Sequence, residues 1–142
     1  SIRNLIGDKE NLKICLIEDD ESLRFTIKEI LEKQNVQIIE AENGKVGMNI
    51  LKNEEIKPDL ILLDLMMPVM NGFEFLKAIR ETELNSIPIL VLTGAELSDD
   101  EKKFLSGETQ RILEKSEDTM STIVNEVSNV IKASSFQNGD NK

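Results

Sequence analysis

Pro58-Asp59-Leu60-Ile61-Leu62-Leu63-Asp64-Leu65-Met66-Met67-Pro68-Val69-Met70-Asn71-Gly72 is the stretch whose reading decides the fold. From Leu60 to Leu63 it is wholly apolar, the pattern of a strand buried on both faces, and it ends on a carboxylate, Asp64. Beyond it Pro68 fixes its own φ, and Asn71-Gly72 supplies residue types that tolerate φ > 0, so a turn is expected there. In open parallel α/β sheets, ligands sit in the crevice beyond the carboxyl ends of the strands. An aspartate after a strand is by itself more often a cap or turn residue. Its meaning depends on what the other strands end on.

Working outward, short apolar runs alternate with amphipathic segments. Strands are predicted over 13–17, 36–40, 58–64, 88–92 and 111–114. Helices are predicted over about 21–34, 44–53, 72–83, 98–105 and 118–133. The first carries Leu23, Ile27, Ile30 and Leu31 on one stripe with Phe25 off it. The second turns Val46, Ile50 and Leu51 inward, weakened by Gly47. The third uses Phe73, Leu76 and Ile79. The last is the clearest, with Met120, Ile123, Val124, Val127, Val130 and Ile131 in a continuous stripe. Five alternations of strand and helix predict a mostly parallel sheet covered on both faces, an α/β domain. Residues 1–11 read as an N-terminal extension, 12–133 as the domain, and 134–142 as a polar tail with nothing to bury. The chain opens on Ser1 rather than Met, as expected of a piece of a longer protein or of a processed chain.

Composition narrows the function. A chain of 142 residues, 39% hydrophobic and 31% charged, is expected to form one soluble domain. The net charge of −10 disfavours nucleic acid and anionic membrane as partners. Neither a membrane-span pattern nor a signal-peptide pattern is present in the sequence. Cys15 stands alone inside an apolar run, so it reads as a buried structural thiol, compatible with a reducing compartment. With no histidine, the chain cannot build a Ser-His or Cys-His nucleophile pair or a His-ligated zinc site.

The strand ends then carry the argument. The first strand runs into Glu18-Asp19-Asp20, the third into Asp64, the fourth into Thr93 and the fifth into Lys115. In a parallel sheet these project from one edge. Acids crowded together are costly unless water or a cation screens them. Carboxylates without histidine or thiolate suit a hard, oxygen-seeking cation such as Mg²⁺, which shares its shell with phosphate. A lysine and a small hydroxyl beside them suit a phosphoryl group, and Gly94-Ala95 leaves room for its oxygens. Singly, each has a plainer reading: Thr93 as a cap, Lys115 as a solvated charge, Asp20 as the cap of the first helix.

These residues also resemble a known family. Leu16-Ile17-Glu18-Asp19-Asp20-Glu21-Ser22-Leu23-Arg24 resembles the opening of response-regulator receiver domains; Asp64 to Gly72 resembles their phosphoacceptor loop, and Val91-Leu92-Thr93-Gly94 their threonine strand. The likeness covers roughly 12–133. It implies a flavodoxin-like five-stranded parallel sheet in the order 2-1-3-4-5 with helices on both faces. It further implies Asp64 as phosphoacceptor, Mg²⁺ held by Glu18, Asp19, Asp64 and the Met66 backbone carbonyl, Lys115 paired with phosphoryl oxygens, and Thr93 donating to them. The implied function is acceptance of a phosphoryl group from a histidine kinase or histidine phosphotransfer domain, switching a protein interaction surface. The only chemistry implied is self-catalysed transfer and autodephosphorylation, so no enzyme is expected, and the setting implied is cytoplasmic. A homodimer is compatible with the family. Neither nucleic acid nor membrane is expected as a contact, and the polar tail holds no transcriptional output domain.

Departures from the family pattern bound the likeness. Ser116 follows Lys115 where proline is common, so the loop there is expected to differ in shape. Ile112 stands where Tyr or Phe usually acts as a rotamer switch, so a different output surface is expected. Met66 and Ala95, both apolar, flank the family's path for the hydrolytic water, which implies slow self-dephosphorylation. The segments around 92–98 and 111–116 also resemble receivers of hybrid histidine kinases, with a free-standing receiver as the competitor. The alternative of another class is a receiver-like interaction module that takes no phosphate. A haloacid-type phosphatase fits poorly, because Asp64-Leu65-Met66 lacks the second carboxylate. A flavodoxin fits poorly too, because acids rather than a phosphate loop follow the first strand.

Overall fold

In the computed structural model, residues 12–53 and 55–140 are described, with side chains through residue 134. The extension expected over 1–11 lies outside them, as do the last two residues of the expected tail. Five strands, β1 (Lys13–Ile17), β2 (Gln37–Ala41), β3 (Leu60–Leu63), β4 (Ile89–Thr93) and β5 (Arg111–Glu114), form one parallel sheet. Its order is β2-β1-β3-β4-β5. Five helices connect and close it: α1 (Glu21–Glu32), α2 (Gly44–Leu51), α3 (Gly72–Arg80), α4 (Asp99–Glu108) and α5 (Glu117–Asp140). The strand–helix alternation predicts the parallel sheet covered on both faces, and the flavodoxin-like strand order is the one the family resemblance implies.

Two apolar layers sandwich the sheet, because alternate residues of each strand face opposite sides. Ile14 and Leu16, Leu60 and Leu62, and Leu90 and Leu92 pack under α1 and α5 against Ile27, Leu31, Ile123 and Val127. Cys15, Ile17, Ile61, Leu63, Ile89 and Val91 face α2, α3 and α4. Burial of Cys15 drives its thiol pKa up to about 12, so it stays protonated and inert. Among the described residues, no helix is long and apolar enough to cross a membrane.

Asp20 and Ser98 cap α1 and α4 as the sequence suggests, while Asn43 and Asn71, read from sequence as turn residues, cap α2 and α3; Asn71 and Ser98 make full capping boxes with Glu74 and Glu101. Phe25 lies outside the core at 59% exposure. Several details differ. The third helix ends at Arg80 and hands over to a short 3₁₀ turn at Glu83–Ser86. Its fully buried aromatic is Phe75, beside Leu76 and Ile79, whereas Phe73 sits at the rim against Phe104 with ring centroids 6.3 Å apart. In α2 the buried apolar pair is Met48 and Leu51. Gly47 explains this: a Cβ there would lie 2.6 Å from Ile17 Cδ1, so the missing side chain lets α2 rest on β1. The helix α5 runs to Asp140, beyond the expected end near residue 133, since Lys132-Ala133-Ser134-Ser135-Phe136 holds no breaker.

The loop after β3 corrects one expectation. Asn71 has φ −79° as a helix cap, and the positive φ falls on Val69 at 69°. Met70 N–H donates to Pro68 O at 2.7 Å across it, a γ-turn around a β-branched residue. The loop is pinned at both ends, by Gly44 N–H on Met70 O and by Gly72 N–H on Leu65 O, each at 2.9 Å. At Gly72 the need is clearance, not φ: a Cβ would meet Asp64 O at 2.6 Å and Leu65 Cα at 2.7 Å. Backbone atoms cannot swing aside, so Gly72→Ala is expected to destabilise by about 1–3 kcal/mol, the range for overpacking. Gly107 in α4 has open space around its Cβ position. There Gly107→Ala is expected to stabilise by about 0.5–1 kcal/mol. Urea unfolding of the two variants checks both signs.

Candidate functional site

The sheet order brings the expected residues to one edge. Because β1 and β3 are neighbours, with Ile17 opposite Leu63, the residues after them, Glu18 and Asp64, emerge side by side. Each is locked by one more backbone hydrogen bond past its strand: Glu18 N–H to Ala41 O at 3.0 Å, and Asp64 N–H to Ile17 O at 2.9 Å. On the other side, Lys115 N–H donates to Thr93 O at 2.7 Å, fixing the exit of β5 against the end of β4. Short apolar strands with no room to slip therefore set where the charged groups point.

Carboxylate oxygens of Glu18, Asp19 and Asp64 lie within 4.8 Å of one another. Glu18 and Asp64 are buried, at 1% and 3% exposure, while Asp19 opens to solvent. The Lys115 ammonium reaches across to Glu18 Oε1 at 2.9 Å and Asp64 Oδ1 at 3.3 Å. Met66 N–H leans on Asp64 Oδ1 at 3.4 Å, and Asp20 N–H donates to Glu18 Oε2 at 3.1 Å. Thr93 is also buried, but its hydroxyl accepts from Ala95 N–H at 3.0 Å rather than engaging Asp64. An open cleft of about 460 Å³ lies over the group, with Met66, Gly94 and Ala95 on its walls beside Asp19, Asp64 and Lys115.

The donor set fits a hard cation. All the ligand atoms are oxygens, one side of the cluster is open, and Glu18 Oε1 is buried without a hydrogen bond, its ion pair to Lys115 apart. That last atom has lone-pair capacity that a positive centre can fill. Burial also moves the protons. Burial pushes the Glu18 carboxyl up to about 7, against the opposing pull of Lys115. Burial likewise raises Asp64. For Asp19 slight burial works upward, but hydrogen bonding with Asp64 and Glu18 and the Lys115 charge outweigh it and hold the group low. Burial acts to lower Lys115, and contact with Glu18 overrides it, so its ammonium is held charged. Burial thus makes Glu18 and Asp64 hold protons more tightly than free carboxyls do, while Asp19 stays the readier of the three to ionise.

Two residues of the site were not assigned roles from sequence. Arg24 on α1 donates from Nη1 to the Glu18 carbonyl oxygen at 2.7 Å, and Gly44 N–H holds the loop carrying Met70. Both depend on contacts between elements far apart in the chain, so no local pattern signals them. At the fifth strand, Ser116 replaces the expected proline productively. Its Oγ accepts from Thr119 N–H at 3.3 Å and opens α5, while Thr119 Oγ1 donates to Glu114 O. The Lys115–Ser116 peptide is trans. Ile112 is half-buried against the α2–α3–α4 layer.

The fold and this site define a class: the chain belongs to the response regulator receiver domain family, whose model matches residues 14–128. Such domains serve two-component signalling. Among curated proteins it is similar to the transcriptional regulatory protein CpxR of Escherichia coli K12, 39% identical over 85 residues, which are 60% of this chain and 35% of that protein. It is also 39% identical over 95 residues to histidine kinase P4 of Formosa agariphila, covering 66% of this chain and 7% of that one. The matched region thus spans about a third or less of these relatives. Among solved structures, Vibrio cholerae chemotaxis protein CheY4 superposes with TM-score 0.72 at 28% identity, over 84% of this chain and 98% of that chain.

The raised Glu18 pKa fixes the sign of a pH effect. A carboxyl that holds its proton more tightly when folded contributes stability below about 4.5, its ordinary value, and loses it as pH rises through about 7. In EDTA the unfolding free energy is therefore expected to fall across that window, and Glu18→Gln is expected to flatten the fall. A slope unchanged by the substitution, measured by denaturant titration at several pH values, contradicts the assignment.

Proposed function

We propose that residues 12–133 act as a phosphoacceptor receiver in a two-component system or phosphorelay, taking a phosphoryl group on Asp64 from a phosphohistidine of a kinase or phosphotransfer domain. The observation that carries this reading is Asp64 itself: a buried carboxylate at the end of the central strand, 3.3 Å from the Lys115 ammonium and clustered with Glu18 and Asp19. In the transfer, an Asp64 carboxylate oxygen forms the bond to phosphorus as the P–N bond to the donor imidazole breaks, and the departing imidazole takes up a proton. Lys115 stays charged and pairs with the transferred oxygens. Thr93, freed from Ala95, donates to one of them. Glu18, Asp19, Asp64 and the Met66 carbonyl hold Mg²⁺, which when bound neutralises charge on the phosphoryl oxygens.

The reaction ends when water attacks phosphorus and restores the Asp64 carboxylate with release of inorganic phosphate. Met66, at 62% exposure, and Ala95 stand at the cleft mouth with no polar atom in their side chains to orient that water. Slow self-dephosphorylation follows. Ile112 lacks a polar tip that could move between core and solvent, so the output surface works differently from one built on a tyrosine-like flip. CpxR and histidine kinase P4 support a place in signalling, and a cytoplasmic receiver, free-standing or within a hybrid kinase, is the form this proposal takes.

Incubation with Mg²⁺ and a small phosphodonor such as acetyl phosphate, followed by rapid acid quench and intact mass, is expected to give a single phosphoryl adduct. The adduct is expected to vanish in Asp64→Asn and with EDTA. Failure of the wild type to form it favours the interaction-module reading. Separately, Met66→Asn or Ala95→Glu is expected to shorten the adduct lifetime several-fold, on the order of a positioned hydrogen bond to the attacking water. If neither alters the decay, access of water is governed elsewhere.

A further inference from the structure

The loop bearing Glu18 and Asp19 is only three residues long, between the end of β1 and the start of α1. Its acids repel one another and Asp64, so its backbone must be held against the push. Three of its anchors are evident: Glu18 N–H on Ala41 O, Asp20 N–H on Glu18 Oε2, and Asp20 Oδ1 capping Leu23 N–H. The peptide between Glu18 and Asp19, whose rotation would swing the Asp19 carboxylate, is held through its carbonyl. That oxygen accepts from Arg24 Nη1 at 2.7 Å.

Arg24 is itself fixed. Its Nε donates to Glu40 Oε1 at 3.2 Å, and Glu40, next to last in β2, is also held by Lys28 Nζ at 3.1 Å. The Arg24 side chain is 16% exposed, and its hydrogen bond to the Glu18 carbonyl is partly buried, while Glu40 on the outer side is 36% exposed. A planar fork with donors in fixed directions can serve a carbonyl and a carboxylate at once; an ammonium cannot match both directions. The chain of contacts runs from β2 through Arg24 to the loop that presents the metal-binding acids.

We propose that Arg24, backed by Glu40, is a positioning residue for the cation site. It sets the orientation of the Glu18–Asp19 peptide, and so of the Asp19 carboxylate toward Asp64. The inference rests on the reading of Glu18, Asp19 and Asp64 as Mg²⁺ ligands. It makes a prediction opposite in sign to simple electrostatics. Removing a cation next to a cation site should tighten Mg²⁺ binding; removing the group that aligns its ligands should weaken it.

The test is Mg²⁺ affinity, measured by calorimetry and by the Mg²⁺-induced rise in Tm, for the wild type, Arg24→Ala, Arg24→Lys and Glu40→Gln. Arg24→Ala is expected to weaken binding about tenfold, the lower end of the range for lost support of a metal ligand. Arg24→Lys keeps the charge and loses the fork, and is expected to weaken it nearly as much. Glu40→Gln is expected to weaken it less, and the double variant to be no worse than Arg24→Ala, because the two act in series. Folding of each variant is checked by its Tm in EDTA. Equal or tighter Mg²⁺ binding by folded Arg24→Ala, or full affinity in Arg24→Lys, overturns the positioning role while leaving a phosphorylatable wild type intact. A wild type that binds no Mg²⁺ overturns both this role and the receiver reading beneath it.

Discussion

Mutual repulsion among buried acids is the constraint around which this domain is built. At an effective dielectric of about 20, two full charges at about 4.8 Å repel by roughly 3 kcal/mol, and three acids lie within that separation here. The fold tolerates them because Glu18 and Asp64 are tethered by backbone hydrogen bonds to neighbouring strands, because Asp19 opens to solvent, and because Lys115 lies across Glu18 and Asp64. Burial adds its own cost, which appears as the raised proton affinities of Glu18 and Asp64. Oxygen ligands gathered at one open strand edge are the kind of donor set that a hard divalent cation takes.

The fold was legible because its signals are local and redundant. Apolar runs such as Leu60–Leu63 and Pro88-Ile89-Leu90-Val91-Leu92 are too short for helices and too apolar for exposed strands. Caps such as Asp20 and Ser98 mark helix starts by chemistry that needs no tertiary context. The edge on which Glu18, Asp64, Thr93 and Lys115 converge was readable for the same reason: parallel strands all end on one side. The particular neighbours came with the family likeness, since alternation alone does not order strands.

What was not legible depended on contacts between distant segments. Phe75 takes the buried place expected for Phe73 and lies near Gly47 of the preceding helix, whose missing side chain makes room for Ile17 of β1. Gly47 read as a weakness of its helix; it is the place where that helix touches the sheet. The positive φ went to Val69 rather than to Asn71 or Gly72 because the capping box claims Asn71 and close packing claims Gly72. Residue preference gives way when a neighbouring demand is stronger. A β-branched residue held this way carries strain of about 1–3 kcal/mol, which the hydrogen bonds at either end of its loop offset.

The contact at Gly72 has a mechanical side. The first turn of α3 rests against the carbonyl of the very residue whose side chain faces the cleft, with no gap to absorb displacement. The adjoining loop is stitched to the first residue of α2 through Gly44. Close-packed backbone is stiff, so a small shift of the strand tip cannot be dissipated at the joint. The tip of β3 and the leading ends of two helices form a single lever. The tip of β3 is thereby joined without slack to the α2–α3 side of the domain.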